Sequence, residues 1–290
     1  MAEVYEYHSS TELEGDAAVY FMVPECLYEA IFWDNDVNDH LLSVFAYFSV
    51  KRGLDNTVTF SVNQIVNWLN RQPNRNKVGI NNKVLECIKF LHEKGYLSIT
   101  NPVKNASINE IAFNVDKVRE ECNGHSFIIL YLDEIKKILG YQKTSDEKTH
   151  IGNEIVLLVF LYLKYGTFKR PNKLMLQEMT NNVEKAVEER RKNSPEAFDD
   201  YYYKIAENLG LSSRAVSAAT KILHDLGLVY FEELPRYKHG DKWRTDHTIF
   251  AFMYKRERGK LLASGRAYYE REVENKKLKL AHYRRRAKTT

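Results

Sequence analysis

The clearest hydrophobic pattern occurs late in the chain. A short helix is predicted from Tyr203 to Leu209, and Gly210 supplies a sharp turn at its end. A second helix is predicted from Ser213 to Leu226, because apolar side chains recur there at helical spacing: Val216, Ala219, Leu223 and Leu226. Gly227 ends this helix, and the apolar run Leu228 to Phe231 is typical of a strand. The pattern predicts two helices joined by a tight turn and followed by a β-ribbon.

Polar side chains mark a separate face of the later helix. Ser212 or Ser213 can cap its start, since a hydroxyl accepts a hydrogen bond from an otherwise unpaired backbone N–H. Arg214, Ser217 and Lys221 follow at spacings of three and four. This succession of elements resembles the winged helix-turn-helix, whose second helix lies in the major groove of DNA.

A similar pattern earlier in the chain predicts a structural repeat. Residues 83–97 align with residues 215–229 at a constant offset of 132, and five aligned pairs are identical: Val84/Val216, Lys89/Lys221, Leu91/Leu223, His92/His224 and Gly95/Gly227. Upstream, residues 44–47 match residues 159–162 at an offset of 115. The difference of 17 predicts an insertion in the second copy, where a charged segment occupies about residues 170–198. The two repeated histidines lie in the last helical turn, where a structural role is expected.

Each copy can be assembled into one domain. In the first copy, residues 20–120, the predicted elements are helices at Asp39–Arg52 and Val62–Asn70, a helix from Asn81, and strands at Leu97–Thr100 and Ile108–Phe113. In the second copy, residues 121–254, a helix at Ile151–Gly166 precedes the helix pair, and the strands are Leu228–Phe231 and Thr248–Tyr254. The predicted fold is mainly α with small β-wings (α+β), as two tandem winged helix-turn-helix domains. An acidic segment, residues 1–19, precedes them, and a basic, helical tail, residues 255–290, follows.

Composition limits the class of protein. A length of 290 residues with 44% hydrophobic content suits two domains with their own cores. No apolar run approaches the ~18 residues of a membrane helix, and no apolar segment follows a basic start, so we expect a cytoplasmic protein without membrane attachment. The three scattered cysteines, Cys26, Cys87 and Cys122, suit buried thiols in a reducing compartment.

The net charge of +4 conceals an asymmetry. Residues 1–40 contain ten acidic side chains and no lysine or arginine. Residues 255–290 contain thirteen basic and four acidic side chains. A basic tail on a near-neutral body indicates a nucleic-acid partner.

The residues predicted to contact DNA lie at the starts of the two polar-faced helices, in the loops and wings beside them, and in the tail. Arg214 has the planar fork that pairs with guanine, and an asparagine such as Asn81 or Asn82 can pair with adenine. Cations in the loops can reach phosphates. In the first copy the candidates are Arg75, Asn76, Lys77, Asn81, Asn82 and Lys104. In the second copy and the tail they are Ser212, Ser213, Arg214, Ser217, Lys221, Arg236, Lys238, Lys242, Arg244, Arg284, Arg285 and Arg286.

No catalytic or metal-binding motif is found. The sequence has no phosphate-binding G-x-x-x-x-G-K-[ST] and no His-x-His pair beside a tyrosine. The segment Asp34–Asp39 lacks the glycine and the glutamate of a calcium loop. Cys122 and His125 make half a zinc site at most, and we expect a turn between the domains there. The sequence predicts no enzyme activity, no cofactor and no metal.

The first copy carries a further resemblance. The order of Tyr20–Pro24, Leu27–Tyr28, Leu41–Tyr47 and Val58–Ser61 resembles the N-terminal winged helix of replication initiators from plasmids and phages of Gram-positive bacteria. The likeness covers residues 20–115 and, more generically, residues 150–254. The insertion and the basic tail depart from that family's pattern.

The resemblance implies a protein that binds repeated origin sequences in double-stranded DNA as a homodimer, distorts the DNA locally and recruits a host helicase or its loader. A winged-helix transcriptional regulator is the first alternative. A protein–protein assembly module of a replisome, with little DNA contact, is the second.

Overall fold

The computed structural model describes the chain in segments separated by gaps. These segments are residues 19–34, 37–74, 76, 79–105, 107–123, 125–142, 151–167, 197–200, 202–233, 237–239, 242–244 and 248–252. The fold is α+β, with helices and small antiparallel sheets. The described residues divide after Tyr162 into two compact units, here called the first and the second unit. None of the described helices has the length and hydropathy needed to cross a membrane.

The first unit contains most of the regular structure. Its strands are β1 (Tyr20–Pro24), β2 (Thr57–Phe60), β3 (Leu97–Ser98), β4 (Asn109–Phe113) and β5 (Phe127–Tyr131). Its helices are α1 (Glu25–Trp33), α2 (Leu41–Lys51), α3 (Val62–Trp68), α4 (Ile80–Glu93), α5 (Val115–Cys122) and α6 (Leu132–Leu139). Helix α7 (Asn153–Thr167) begins in this unit and ends beyond the division.

The second unit repeats part of this order after α7. Its described elements are β6 (Ala197–Asp200), α8 (Tyr202–Asn208), α9 (Ser213–Asp225), β7 (Val229–Glu233), β8 (Tyr237–His239), β9 (Lys242–Arg244) and β10 (Thr248–Phe252). The helices and principal strands lie within a few residues of the predicted ones. This agreement follows from the period of the apolar positions, which is a local signal.

Helix α2 is the centre of the first core. It is apolar on all sides, and every residue from Leu41 to Ser49 is buried. Phe45 contacts the rings of Phe21, Tyr96 and Phe113, whose centroids lie 6.2, 5.6 and 5.7 Å from its own. Helices α3, α4 and α6 and strand β1 pack around α2. This buried helix therefore joins the beginning, middle and end of the unit.

The two units share a sheet arrangement. In the first, β4 lies between β2 and β3, and both pairings are antiparallel. In the second, β10 lies between β6 and β7, again with antiparallel pairings. Among the described elements, a strand, two helices and two further strands of the same sheet occur in this order in both units, and in the second unit the pair β8 and β9 lies between those two strands. The repeat predicted from sequence thus extends to strand order.

The division between the units differs from the predicted boundary at residue 121. Strand β5 pairs with β1 in a second small sheet, with Tyr131 opposite Tyr20, and α6 packs on α2. Residues 127–139 therefore belong to the first unit. The expectation that Cys122 and His125 mark a turn between domains was wrong, because this segment connects α5 to β5 within that unit.

Strand β6 falls at the end of the segment predicted to be a charged insertion. Its residues, Ala197–Asp200, pair with β10 and form an edge of the second sheet. Residues 170–196, the rest of that segment, lie outside the described residues. The strand was missed because its sequence, AFDD, does not show the usual β-branched or aromatic alternation.

Candidate nucleic-acid interface

In both helix pairs, α3–α4 and α8–α9, the first helix ends in the same kind of turn. After α8, Gly210 adopts a φ of +62°, and the N–H of Leu211 donates to the carbonyl of Ala206 at 2.8 Å. After α3, Asn70 adopts a φ of +54°, and the N–H of Arg71 donates to the carbonyl of Val66 at 3.1 Å. Glycine and asparagine are the residues that best tolerate this left-handed backbone.

The connections that follow these turns differ in length. Asn70 and Gly210 are 140 positions apart, whereas Leu91 of α4 and Leu223 of α9 are 132 apart. The first unit therefore has eight more residues between the left-handed turn and the aligned leucine of the second helix. The net difference of 17 predicted from sequence combines this longer connection with a larger insertion upstream of α8.

Helix α9 presents its predicted polar residues to solvent. Ser212 is the N-cap, and its hydroxyl accepts from the N–H of Ala215 at 3.1 Å. Four further candidates lie along the helix, with Ser217 partly buried and the others exposed: Ser213, Arg214, Ser217 and Lys221. The opposite stripe, which includes Val216 and Leu223, is fully buried. This face can thus place an arginine, a lysine and several hydroxyls against a partner.

Helix α4 differs at the corresponding position. Asn81 aligns with exposed Ser213, yet Asn81 is fully buried. Its Oδ1 accepts from the N–H of Asn74 at 2.8 Å, and its Nδ2 donates to Oδ1 of Asn63 and of Asn105, each at 2.9 Å. The prediction that Asn81 contacts DNA was wrong. Its side chain is enclosed, and its oxygen and both N–H groups already have hydrogen-bond partners within the unit. These four asparagines are called the Asn81 cluster below.

The Asn81 cluster joins four parts of the first unit. Asn63 lies in α3, Asn74 in the helix connection, Asn81 in α4 and Asn105 in the β3–β4 loop. The connection is also tight, since a Cβ built on Gly79 would overlap the backbone carbonyl of Asn74. The first turn of α4 and the β3–β4 loop are therefore held together.

The remaining candidates near α4 are at the surface. Asn82 is partly buried, and its Nδ2 donates to the carbonyl of Asn76 at 2.9 Å. Asn76 itself is exposed. Lys104 is exposed in the β3–β4 loop, where Asn109 accepts from its N–H at 2.7 Å and donates to its carbonyl at 3.0 Å. The side chain of Asn109 therefore holds the backbone of the β3–β4 loop at Lys104.

The second unit contains an additional hairpin where a long loop was predicted. Strands β8 and β9 pair with Lys238 opposite Trp243 and His239 opposite Lys242. Three of the residues predicted to contact DNA belong to these strands: Lys238, Lys242 and Arg244. Six other predicted contacts lie outside the described residues: Arg75, Lys77, Arg236, Arg284, Arg285 and Arg286.

The repeated histidines occupy equivalent structural positions. His92 Nδ1 lies 2.9 Å from the carbonyl of Leu97, and His224 Nδ1 lies 3.2 Å from that of Val229. Both contacts join the end of a helix to the strand that follows. The sequence predicted a structural role, and the turns at Gly95 and Gly227, both of which have positive φ, bring each strand back to its histidine.

A charged cluster at the base of α7 was not predicted. Arg71 donates to both carboxylate oxygens of Glu154 at 2.8 and 2.9 Å, and His40 Nδ1 lies 3.4 Å from Glu154 Oε1. Burial lowers the pKa of His40, and the Glu154 carboxylate offsets this only in part. Burial opposes ionisation of Glu154, but hydrogen bonds from its own N–H and from Arg71 hold its pKa below the usual value. Arg71 therefore has an internal partner and does not extend the candidate interface.

No protein-family model matches the chain, and no curated protein is similar to it. Among the described residues, no group of three or more histidine, cysteine or acidic side chains is arranged to hold a metal ion.

Proposed function

We propose that the protein binds double-stranded DNA sequence-specifically through two winged helix-turn-helix units. The observation that carries this proposal is the repeat of a strand, two helices and two further strands of the same sheet, with the same strand order in both three-stranded sheets. The left-handed turn before each second helix adds support. Helix pairs of this kind place their second helix in the major groove.

In this proposal α9 is the principal reading helix. Arg214 is exposed in its first turn, where recognition helices make their base contacts, and an arginine can donate two hydrogen bonds to guanine. Lys221 is exposed two turns later and is suited to a phosphate. The β8–β9 hairpin would supply Lys238, Lys242 and Arg244 to the DNA backbone.

The more specific proposal is a replication initiator of a plasmid, phage or other mobile element. It rests on the resemblance of the first copy to plasmid and phage initiators. A transcriptional regulator uses the same interface, and the two differ in their target sites. Direct repeats beside an AT-rich stretch favour the initiator, whereas a single palindrome over a promoter favours the regulator.

Fluorescence anisotropy at physiological salt tests the proposal. Labelled duplexes from the protein's own gene locus should bind at least ~10³-fold more tightly than shuffled duplexes of the same composition. Footprinting on the bound duplex would then distinguish repeats from a palindrome. Equal weak binding to both duplexes, or no binding, would contradict the proposal and favour a protein-assembly module.

Substitution of Arg214 tests the reading helix. Arg214→Ala should reduce the discrimination between specific and shuffled duplexes by about 1–3 kcal/mol. Arg119→Ala is the matched control, since it removes an exposed guanidinium from α5. Lys242→Ala and Arg244→Ala should instead weaken both duplexes alike and reduce the salt dependence. Unchanged discrimination in Arg214→Ala would exclude α9 as the reading helix.

A further inference from the structure

The orientation of the Asn81 side chain follows from one backbone group. The N–H of Asn74 is always a donor, so the Asn81 atom 2.8 Å from it must be the oxygen. The other end of the Asn81 carboxamide is then Nδ2, which carries two N–H groups. Because Asn81 is fully buried, both groups require acceptors.

Asn63 and Asn105 are oriented in turn by Asn81. Each places its Oδ1 2.9 Å from Asn81 Nδ2, and two N–H donors require an oxygen from each neighbour. The Nδ2 groups of Asn63 and Asn105 must therefore lie on the far side of their carboxamides. Neither nitrogen makes a hydrogen bond to any part of the chain that the structure describes.

The two oriented amides are adjacent and partly exposed. Their oxygens contact the same nitrogen, and both side chains are partly open to solvent. They lie at the start of α3 and in the β3–β4 loop, beside the first turn of α4. Lys104 precedes Asn105 directly and is exposed. A pair of N–H donors next to a cation is suited to an anionic partner that presents oxygen atoms.

We propose that Asn63 and Asn105 form a phosphate-binding pair that contacts the DNA backbone in the first unit. This inference rests on the proposed function. Because the Oδ1 atoms face Asn81, the pair offers donors alone at the surface. Pairing with adenine requires an acceptor and a donor from the same carboxamide, whereas phosphate oxygens require donors alone. Asn81 is a positioning residue that does not itself contact DNA.

The described residues of the second unit do not have this arrangement. The residue aligned with Asn81 is Ser213, which is exposed, and the turn there passes from Leu211 directly to the N-cap Ser212. Within the part of the chain that the structure describes, the phosphate-binding pair therefore occurs in the first unit alone. Its presence follows from the longer connection between α3 and α4, which includes Asn74.

Two isosteric substitutions test the pair. Asn63→Asp and Asn105→Asp keep an oxygen for Asn81 but replace the outward N–H groups with an anionic oxygen. Each should weaken binding to any duplex by at least about tenfold through repulsion of phosphate. Asn123→Asp is the matched control, because it adds the same charge at an exposed position after α5. Thermal unfolding of each variant should match that of the wild-type protein.

Alanine substitutions separate the pair from the nearby lysine. Asn63→Ala and Asn105→Ala should weaken duplex binding about 3- to 10-fold, the effect of one lost hydrogen bond. They should leave the slope of log affinity against log salt unchanged, since a neutral donor releases no counterion. Lys104→Ala should reduce that slope by about 0.9.

The outcomes separate this inference from the proposed function. If the wild-type protein binds duplex DNA and both aspartate variants bind as Asn123→Asp does, the phosphate-binding pair is refuted while DNA binding stands. If the alanine variants change the salt slope as Lys104→Ala does, the neutral contact is also refuted. If the wild-type protein binds no duplex, the proposed function fails, and this inference fails with it.

Discussion

Replacement of Asn81 by alanine should destabilise the first unit while leaving the second unit unchanged. The substitution removes three hydrogen bonds of 2.8 to 2.9 Å within a fully enclosed site. Each such bond contributes about 0.5–1.5 kcal/mol. Because the acceptors on Asn63 and Asn105 can turn to water, we expect a total loss of about 2–4 kcal/mol in the free energy of unfolding.

Hydrogen exchange resolves the effect by unit. Exchange in Asn81→Ala should accelerate in peptides covering α3, α4 and the β3–β4 loop, because the cluster joins these parts. Peptides covering α8 and α9 should exchange as in the wild-type protein. Ser213→Ala is the matched control, since Ser213 occupies the aligned position but is exposed. Its effect should remain within about 0.5 kcal/mol.

Two results would refute this reasoning. A loss below about 1 kcal/mol in Asn81→Ala would mean that the three hydrogen bonds are replaced by water at little cost. Equal acceleration of exchange in α4 and α9 would mean that the Asn81 cluster does not act locally.

Glycine and titration experiments examine other parts of the fold. Gly95→Ala and Gly227→Ala should each reduce the free energy of unfolding by about 1–2 kcal/mol. The backbone φ angles are +81° and +70°, and no atom lies within 4 Å of an added Cβ, so the cost is that of the backbone conformation alone. An unchanged melting temperature would contradict this. Gly79→Ala, at a φ of −76°, should cost about 1–3 kcal/mol through overlap with the adjacent connection and should expose α4 to hydrogen exchange. Stability should decrease as pH falls from about 7 to 5, because unfolded His40 binds a proton near pH 6.5 while burial lowers its folded pKa. Urea unfolding of His40→Gln should show a smaller decrease, and an identical pH profile would refute the assignment.

The prediction of the helices depended on local information. The apolar stripes of α4 and α9 were predicted with boundaries within one or two residues, because helical periodicity appears within a few turns. The glycines that end these helices were also recognised, since a left-handed turn favours glycine. Identical histidines in the two copies indicated a shared structural position, and the two strand contacts confirm it.

The extent of the first unit depended on distant pairing. Strand β5 pairs with β1, which lies about a hundred residues earlier, and no local pattern specifies that register. The sequence therefore placed the boundary near residue 121, before the segment that completes the first unit. The same reason explains why β6, which pairs with β10, was assigned to an insertion.

The sequence by itself determined the approximate positions of α2, α3, α4, α7, α8 and α9, the presence of two copies of one pattern, and which polar residues stand at the start of each second helix. Only the tertiary structure decided that Ser213 is exposed whereas Asn81 is buried. The longer connection before α4 places the N–H of Asn74 within hydrogen-bonding distance of the Asn81 oxygen. The β3–β4 loop places the Asn105 oxygen next to the Asn81 nitrogen. Burial of a polar side chain depends on such contacts between segments distant in sequence, so the position of a residue along one helix does not specify it.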